Sequence, residues 1–401
     1  MSFYEDAGAA EPGPLAGTRV VDLCTARSGP TCVRQLADLG ADVVQILRSG
    51  VSELEGSDAW NLHRNKRSAI VNLQDPRGRE VLLRLAAKAD VLVENWRPAV
   101  KYRLGLDQDT VLALNPRLIY ASISGFGQDG PYADRPGLDQ IAQGMGGLMS
   151  VTGPPGSGPW RVGIAVSDSV TGTFLTQGIL AALLVRARTG RGQWVHTSLL
   201  ESMINLMDFQ AARWLIDHEV PEQLGNSHPT MPGMGTFRTS DGHINVAPIN
   251  SFERFYAAIG APELGRDPRF AENSGRRANR PALLEAIGER MRTRTTAEWV
   301  AAIGGQFPCG PVLRIDEVFE DAQVQHLRLT RTIRHPVRGE MEVLRQPLNF
   351  SETPTSIRSG PPLTGADTVG VLGDAGYSPA EIEQLLAAGV VADHAEQLEV
   401  R

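Results

Sequence analysis

Short apolar runs rich in β-branched residues alternate with amphipathic segments from Thr18 onward. The runs predict strands, whose side chains repeat every second residue, and the segments between them predict helices, whose side chains repeat about every 3.6 residues. The predicted strands are Arg19–Leu23, Ala41–Leu47, Ser68–Leu73, Val91–Asn95 and Leu118–Ser124, and the helices between them include Pro30–Leu39 and Arg77–Ala89. This alternation is typical of an α/β fold with a doubly wound, Rossmann-like sheet of parallel strands.

The loops that follow these strands are the first candidates for a binding site. In an open parallel sheet, ligands bind in the crevice beyond the carboxyl ends of the strands. We therefore expect a ligand at the loops after Leu23, Leu47, Asn95 and Ser124.

The chain changes character after Asp134, where Gly and Pro residues become frequent before a long apolar stretch, Val170–Val185. The spacing of its leucine and isoleucine residues predicts a helix that ends near Thr189 and Gly190. A second long helix is predicted from Thr197 to about His218.

Beyond the second predicted helix, the pattern indicates a smaller domain. Thr236–Ala247 is typical of a β-hairpin with Asp241 and Gly242 in its turn, and helical segments follow it. We expect a loose leader over residues 1–17, a large α/β domain over 18–220, a linker over 221–235, a small α+β domain over 236–330, and a linker with a C-terminal return to the large domain over 331–401.

The charge balance restricts the class of partner. The 401 residues include 46 acidic residues and 39 lysines and arginines, which gives a formal net charge of −7. An acidic chain has no general attraction for nucleic acid or for an anionic membrane, so we expect neither partner, and an anionic ligand must be met by local basic groups.

The cysteines and the amino terminus indicate a cytoplasmic protein. Cys24, Cys32 and Cys309 cannot all pair and have no metal-ligand spacing, so we expect a reducing compartment and no structural metal. Residues 1–17 have no apolar stretch of the length that a signal peptide needs, and no run approaches the ~20 apolar residues of a membrane helix.

The motifs of several common enzyme classes are missing. The first strand-to-helix turn reads CTARSGPTC, not GxGxxG, so the glycine cradle of a dinucleotide site is absent. There is also no GxxxxGK[ST] loop and no GxSxG elbow, and none of the eight histidines lies in a metal-ligand pattern.

Basic and amide side chains follow the predicted strands. They are Arg27, Arg48, Asn65, Lys66, Arg67, Asn95, Arg97, Lys101 and Arg103. Gathered at one edge of a sheet, they would suit a ligand with several phosphates, because the arginine fork matches phosphate geometry. The alternative is an ordinary set of solvated surface charges.

Asp168 stands in GIAVSDSVTG, directly before the long apolar helix. A carboxylate in this position often only caps the helix, which is worth about 0.5–2 kcal/mol. It could instead serve as a nucleophile in a partly buried turn. Spacing alone does not distinguish the two.

Several segments, in this order, carry a family resemblance: GTRVVDL, SGPTCVRQLADLGADVVQI, ADVLVENWRPAVKYRLGL, NPRLIYASISGFGQDGPYADRPGLD, TGRGQWVHTSLLES and LGDAGYSPAEIEQLLAAGVV. Through them the chain resembles the family III CoA-transferases, which include formyl-CoA transferase, carnitine CoA-transferase and alpha-methylacyl-CoA racemase. The resemblance covers nearly the whole chain.

The resemblance implies a nucleophile and a mechanism. Asp168 matches the transferase nucleophile, which would attack an acyl-CoA thioester, form a mixed anhydride, and then carry CoA as an aspartyl thioester to a carboxylic acid acceptor. Asp139 matches an acidic residue near the nucleophile, and two close carboxylates raise the pKa of one of them. No tightly bound cofactor is implied, because CoA and acyl-CoA are substrates.

The resemblance also implies a CoA site, a loop and a dimer. Residues at family CoA-contact positions are Ala26, Arg27, Arg48, Asn95, Trp96 and Arg103. Trp96 would stack on CoA or pack in the core, and Arg27 would pair with a phosphate or a substrate carboxylate. The segment Met231–Gly235 (MPGMG), with Gly233 and Gly235, matches the substrate loop. The family further implies an interlocked homodimer.

Two departures from the racemase branch favour transfer. The residue before the acidic position is Leu138 where that branch has histidine, and a later acid is replaced at about Asn250. An acyl-CoA racemase or isomerase that exchanges an α proton, and a catalytically silent CoA-binding protein, remain as alternatives.

Overall fold

The computed structural model describes residues 13–50, 56–248 and 251–394. The chain forms two compact units. The first is formed by the chain up to Leu148, by Arg161–Asp217 and by the chain from His326 onward, and the second by Met149–Trp160 and His218–Gln325. The segment Met149–Trp160 thus belongs to the second unit, whereas the sequence pattern places it inside a large domain over 18–220.

The strands follow one another in the order in which they are numbered. They are β1 Arg19–Asp22, β2 Asp42–Leu47, β3 Lys66–Val71, β4 Val91–Glu94, β5 Ile119–Ser124, β6 Trp194–Ser198, β7 Gly235–Arg238, β8 His243–Val246, β9 Cys309–Pro311, β10 Thr330–His335, β11 Gly339–Leu344 and β12 Val391–Ala392.

The helices are numbered in the same way. They are α1 Ser28–Asp38, α2 Ser57–Leu62, α3 Pro76–Lys88, α4 Pro98–Leu104, α5 Gln108–Leu114, α6 Asp139–Met145, α7 Leu148–Val151, α8 Val166–Thr189, α9 Leu199–Leu206, α10 Asp208–Asp217, α11 Phe252–Ala258, α12 Pro268–Ala271, α13 Asn273–Ala278, α14 Arg280–Met291, α15 Thr296–Ile303, α16 Ile315–Val318, α17 Ala322–Leu327, α18 Thr368–Ala375 and α19 Pro379–Ala387; Pro262–Gly265 is a 3₁₀ turn.

The first unit is built on a seven-stranded sheet with the order β12-β3-β2-β1-β4-β5-β6. All neighbouring strands are parallel except β12, which pairs antiparallel with β3. The predicted parallel sheet is therefore confirmed. The strand order reverses direction on either side of β1, so the crevice beyond β1 and β4 is the position where such sheets bind ligands.

Helices cover both faces of the sheet, and neighbouring residues of a strand point to opposite faces and so belong to different cores. Val20 and Val43 contribute to the core on one face, together with α1 and α8 residues such as Leu36 and Leu175. Val21 belongs to the core on the other face, with residues of α3, α18 and α19.

The helix predicted from Thr197 to about His218 is confirmed over most of its length, because α9 and α10 cover residues 199–206 and 208–217. It begins two residues later than predicted, since Thr197 and Ser198 belong to β6, which pairs with β5. The β-branched residues Val195 and Thr197 suit a strand at the sheet edge. The helix is also interrupted at Met207, and Asp208, the first residue of α10, has a φ of 41°, outside the right-handed helical region.

The long apolar helix is present as α8, which ends at Gly190 in the left-handed conformation. By length and composition alone this helix could cross a membrane, which the sequence pattern does not predict. It packs against α1, α9, β5 and β6. Core helices of soluble proteins pass the same test.

The second unit contains a sheet of three antiparallel strands, in the order β7-β8-β9. The predicted hairpin is confirmed, since β7 and β8 pair antiparallel around Asp241 and Gly242. Helices α11, α14 and α15 cover the sheet with a core that includes Phe255, Ile287 and Trp299.

Candidate active site

The turn after β1 is held in a strained backbone conformation. Ala26 has a φ of 59°, a left-handed conformation that costs a residue with a Cβ about 1–2 kcal/mol. The Asp22 carboxylate, buried and 3.0 Å from Lys66 Nζ, accepts a hydrogen bond from the Cys24 backbone N–H. This buried ion pair fixes where the chain leaves the sheet, and α1 then begins at Ser28.

The turn after β4 is tied to the turn after β1 by the Asn95 side chain. Asn95 Oδ1 accepts a hydrogen bond from the Thr25 N–H at 3.0 Å, and its Nδ2 donates one to the Thr25 carbonyl at 2.8 Å. Both polar atoms of this amide are thus engaged within the protein. We conclude that Asn95 holds the two turns together.

A second buried ion pair supports the turn after β4. Glu94 Oε2 accepts a hydrogen bond from the Trp96 backbone N–H, and Glu94 Oε1 lies 3.3 Å from Lys101 Nζ. Burial raises the pKa of Glu94, and the nearby Lys101 charge opposes the rise. The Trp96 indole packs against the core of the sheet, which is the packing alternative for this residue.

Asp168 lies at the third position of α8, where its surroundings differ from those of a helix cap. The residue before the helix is Ala165, which makes no side-chain capping hydrogen bond. The Asp168 side chain instead lies close enough to Ser28, Arg27 and Asp139 for these groups to alter its ionisation. The capping role is therefore not the one that the structure gives to Asp168.

The close packing of α1 against α8 brings these groups together. Gly172 lies one turn after Asp168, and a Cβ at this position would be 2.6 Å from the Ser28 carbonyl oxygen and 2.9 Å from Thr31 Cβ. Only glycine permits this approach, because a real Cβ contact is never so short. The amino-terminal end of α1 thus lies beside the first turns of α8.

Asp139 fixes the beginning of α8 from the other side. Asp139 Oδ1 accepts a hydrogen bond from the Ser167 backbone N–H at 2.9 Å, and Oδ2 accepts one from Gln143 Nε2 at 2.7 Å. Arg161 lies 3.5 Å from the same carboxylate. Asp139 is the first residue of α6 and is buried, so it connects α6 to the residue next to Asp168.

The Asp139 and Asp168 carboxylates lie close enough to interact, and the pKa of Asp168 is raised. Burial, as the larger cause, and the negative charge of Asp139 together raise the pKa of Asp168 to about 6. Arg27 and the Ser28 hydroxyl oppose the rise. A carboxylate that is desolvated yet still ionised at neutral pH is a stronger nucleophile than one in water.

Arg27 follows β1 and lies close enough to Asp168 for its charge to lower the pKa of that carboxyl group. Its guanidinium forms an ion pair with Asp58 in the first turn of α2. The side chain of Arg27 is 33% exposed and that of Asp58 is 61% exposed. Arg27 therefore faces solvent at the edge of the site.

The structure brings together some of the predicted site residues and leaves others at the surface. Ala26 and Asn95 lie in the turns after β1 and β4, which Asn95 joins, and Arg27 and Asp139 lie close enough to Asp168 to alter its ionisation. Arg48, after β2, and Arg103, on α4, are exposed and make no ion pair with any residue that the structure describes. Their role as CoA contacts stays a prediction.

The predicted substrate loop belongs to the second unit. Gly233 has a φ of 96°, and a Cβ on it would lie 2.9 Å from the Phe252 ring; a Cβ on Gly235 would lie 2.8 Å from the Asn226 carbonyl oxygen. Both glycines are thus required by local packing. Their part in closing a site stays a prediction, and Asn250 lies outside the described residues.

Four residues of this region were not singled out by sequence reasoning: Ser28, Asp58, Gln143 and Arg161. Arg161 had a signal, since it is the basic residue nearest to Asp168 on the amino-terminal side. Ser28, Asp58 and Gln143 are common polar residues on helices, and only the packing of those helices brings them to the site.

The described residues hold no group of three or more His, Cys, Asp or Glu side chains that could bind a metal ion. Burial raises the pKa of Cys32 to about 12, so this thiol, which lies on α1, is protonated at neutral pH and packs as an apolar residue.

Comparison with known proteins gives a consistent family. Succinyl-CoA:glutarate CoA-transferase of Mus musculus is 34% identical over 396 residues, covering 95% of this chain and 91% of that protein. Formyl-CoA:oxalate CoA-transferase of Streptomyces avermitilis is 34% identical over 407 residues, covering 94% and 99%.

A solved structure, described as a CAIB/BAIF family protein from Brucella suis, matches with a TM-score of 0.79 and 33% identity, covering 91% of this chain and 100% of that one. The family model described as CoA-transferase family III matches residues 15–368. A match over this length, with relatives above 30% identity over whole chains, establishes that the chain belongs to CoA-transferase family III.

Proposed function

We propose that the protein moves CoA from an acyl-CoA thioester to a carboxylic acid, with Asp168 as the covalent nucleophile. The observation that carries this proposal is the half-buried Asp168 carboxylate at the crevice beyond β1 and β4, with a pKa raised to about 6 by burial and by Asp139. At neutral pH it is mostly ionised, and it is poorly solvated. Both properties suit attack on a thioester carbonyl.

The first half of the reaction loads CoA onto the enzyme. An Asp168 oxygen attacks the thioester carbonyl carbon, the carbon–sulfur bond breaks, and CoA leaves as a thiolate. The thiolate then attacks Asp168 Cγ of the mixed anhydride and releases the donor acid as a carboxylate. The enzyme now holds an aspartyl-CoA thioester.

The second half repeats these steps in reverse with the acceptor. The acceptor carboxylate attacks Cγ of the aspartyl thioester, the thiolate leaves, and a new anhydride forms. Attack of the thiolate on the acceptor's carbonyl carbon yields the new acyl-CoA and frees Asp168. No net proton is taken up or released, so the cycle needs no general base.

The neighbouring residues position these groups. Asp139 accepts a hydrogen bond from the Ser167 N–H and thereby fixes the first turn of α8, and Ser28 favours the ionised form of Asp168. Asn95 joins the two turns that carry Ala26 and Trp96. We assign the CoA phosphates to the exposed cations Arg48 and Arg103, because arginine forks suit phosphate oxygens.

The relatives support an organic acid as the acceptor. The proteins from Mus musculus and Streptomyces avermitilis are named for succinyl-CoA with glutarate and for formyl-CoA with oxalate. These names favour CoA transfer over α-proton exchange, and this chain has Leu138 where the racemase branch has a histidine.

We further propose that the protein is a homodimer, as the family resemblance implies. Exposed apolar side chains of α10 support this part of the proposal: Leu215 is 72% and Ile216 75% exposed. Leu215 and Ile216 are neighbours in the chain, and contiguous apolar patches are rare on the surface of monomers unless a partner covers them.

Chemical trapping tests the nucleophile. The protein is incubated with succinyl-CoA and treated with borohydride, which reduces an aspartyl thioester to the alcohol, and the modified peptide is located by mass spectrometry. We expect the change at Asp168. The Asp168→Asn variant should show no change and lose at least about a thousandfold in kcat, since it removes the attacking group.

A matched control excludes a general effect of losing a carboxylate. Asp109 also lies in the first turn of a helix, α5, and is exposed. The Asp109→Asn variant should keep the adduct and its activity. An adduct at another residue, or an active Asp168→Asn enzyme, would refute the assignment.

A further inference from the structure

Arg27 is held by a weak partner. Its ion pair with Asp58 joins two partly exposed side chains, and such surface pairs contribute little to stability, because water screens them and both side chains lose freedom. A better-placed carboxylate therefore displaces Asp58 at small cost. The pairing shows that the place beside Arg27 accepts a carboxylate.

The other nearby cation is already committed to the protein. Arg161 lies 3.5 Å from Asp139 Oδ2, and Asp139 in turn holds the Ser167 N–H. Removing Arg161 from this position would leave the buried Asp139 carboxylate without its cation. Arg27, whose partner Asp58 is 61% exposed, is thus a cation of this region that can pair with a substrate.

A dicarboxylic acceptor poses an electrostatic problem at this site. One of its carboxylates must reach Asp168, so its second negative charge enters a region that already contains Asp168, Asp139 and Asp58. Like charges at short range disfavour binding unless a cation pairs with the added charge. Arg27 directly precedes Ser28, whose carbonyl oxygen would lie 2.6 Å from a Cβ on Gly172, one turn after Asp168. Arg27 can therefore supply that pairing.

We infer that Arg27 is a specificity-determining residue that binds the second, non-reacting carboxylate of a dicarboxylic acid substrate, and that Asp58 occupies the place of that carboxylate in the free enzyme. This inference rests on the proposed function, and it adds a substrate class and the residue that selects it. Binding exchanges one ion pair, Arg27 with Asp58, for another with the substrate.

The same guanidinium would also suit a phosphate of CoA, since both ligands are oxyanions. The two sources differ in what they predict. A carboxylate partner makes Arg27 matter for dicarboxylic acids alone, whereas a phosphate partner makes it matter equally for every reaction that the enzyme catalyses.

The test compares two acceptors with one donor. Glutarate and pentanoate have equal carbon chains and differ in one carboxylate, and the ratio of their kcat/KM values cancels any effect on the donor half-reaction. In Arg27→Gln, the ratio of kcat/KM for glutarate to kcat/KM for pentanoate should fall about tenfold to a hundredfold, as expected for the loss of a charge-assisted contact. In Asp58→Asn, the KM for glutarate should fall about two- to fivefold, because the competing carboxylate is gone.

A matched pair in the second unit provides the control. Arg290 and Glu263 form an ion pair of similar exposure, 45% and 58%, with 2.9 Å between the charged atoms. Arg290→Gln should leave the ratio unchanged. An unchanged ratio in Arg27→Gln would overturn the inference. If kcat/KM for the donor also falls in that variant, Arg27 is assigned to a CoA phosphate instead.

The trapping experiment separates this inference from the proposed function. If borohydride modifies Asp168 in the Arg27→Gln variant but the acceptor ratio equals that of the wild-type protein, the mechanism stands and only the role of Arg27 is wrong. If borohydride does not modify Asp168 in the wild-type protein, the proposed function itself fails.

Discussion

Asp168 is a carboxyl group whose neighbours act on its ionisation in opposite directions. Burial and the Asp139 charge raise its pKa to about 6, while Arg27 and Ser28 lower it. The neutral carboxyl is not a nucleophile, so the reaction requires the ionised form. The ionisation of Asp168 therefore sets the lower pH limit of activity.

We predict that kcat/KM for the acyl-CoA donor falls on the acid side of pH 6. Below the pKa each further pH unit should cost about tenfold, because this parameter reports the free enzyme's essential groups. A pH–rate profile between pH 4.5 and 8, taken at about constant ionic strength, measures it. A profile that stays flat to about pH 4.5 would contradict the prediction.

The same pKa provides an independent check through stability. The folded-state pKa lies above the ordinary value of 3.8, so the ionised carboxylate destabilises the folded protein, fully above pH 6 and not at all well below 3.8. Asp168→Asn should therefore raise the free energy of unfolding by about 1–2 kcal/mol at pH 8, after allowance for solvent screening. Urea unfolding at pH 8 and pH 4 should show this gain shrinking with acidity.

At the scale of elements, the contact between α1 and α8 decides whether the site exists. Gly172 allows α8 to approach the backbone of Ser28 and Cys32, and that approach brings the beginning of α1 beside the first turns of α8. Both helices begin at this point, and the backbone N–H groups of their first turns, which have no partner within the helix, favour negative charge nearby.

We predict that Gly172→Ala destabilises the protein and impairs catalysis. The added Cβ would meet the Ser28 carbonyl oxygen at 2.6 Å, and the helices must separate, which costs about 1–3 kcal/mol. Thermal unfolding and kcat measure the two effects.

Gly370 provides the control for this substitution. It lies within α18, and a Cβ there would meet nothing within 4 Å. Gly370→Ala should stabilise the protein by about 0.5–1 kcal/mol through helix propensity and leave kcat unchanged. Equal behaviour of the two variants would show that the α1–α8 contact does not matter.

At the scale of the whole molecule, the proposed interlocked dimer has a kinetic consequence. Chains that thread one another cannot separate unless one of them unfolds, so dissociation is limited by unfolding. In the proposed dimer, a second copy of the chain would cover the exposed apolar residues of α10, including Leu215 and Ile216.

We predict that dimers with and without an affinity tag do not exchange subunits when they are mixed under native conditions. Heterodimers should form only after unfolding and refolding of the mixture. Native mass spectrometry follows the exchange over days. Rapid formation of heterodimers would exclude interlocking, and a monomer mass would exclude the dimer itself.

The local sequence was sufficient for elements whose signal is local. The first five strands of the parallel sheet and the end of α8 at Gly190 follow from apolar runs and a left-handed glycine, and both are present. The sequence pattern did not predict β6, whose residues Trp194–Ser198 have no long apolar run. Pairing with β5 makes this segment a strand and sets the beginning of the next helix, and pairing is not a local property.

The candidate site divides in the same way. Asp168, Asp139, Asn95 and Arg27 could be named from the sequence, because their segments resemble a known family. Ser28, Asp58 and Gln143 could not, since their identities are ordinary and their importance comes from which side chain lies beside them.

The sequence by itself determined the alternation of strands and helices, the family, and the carboxylate proposed as nucleophile, since these depend on residue types in chain order. Only the tertiary structure decided that Asp168 is not a helix cap, that its pKa lies near 6, and that Arg27 pairs with Asp58 beside it. Burial and distance set these properties, and both arise only when segments far apart in the chain pack together.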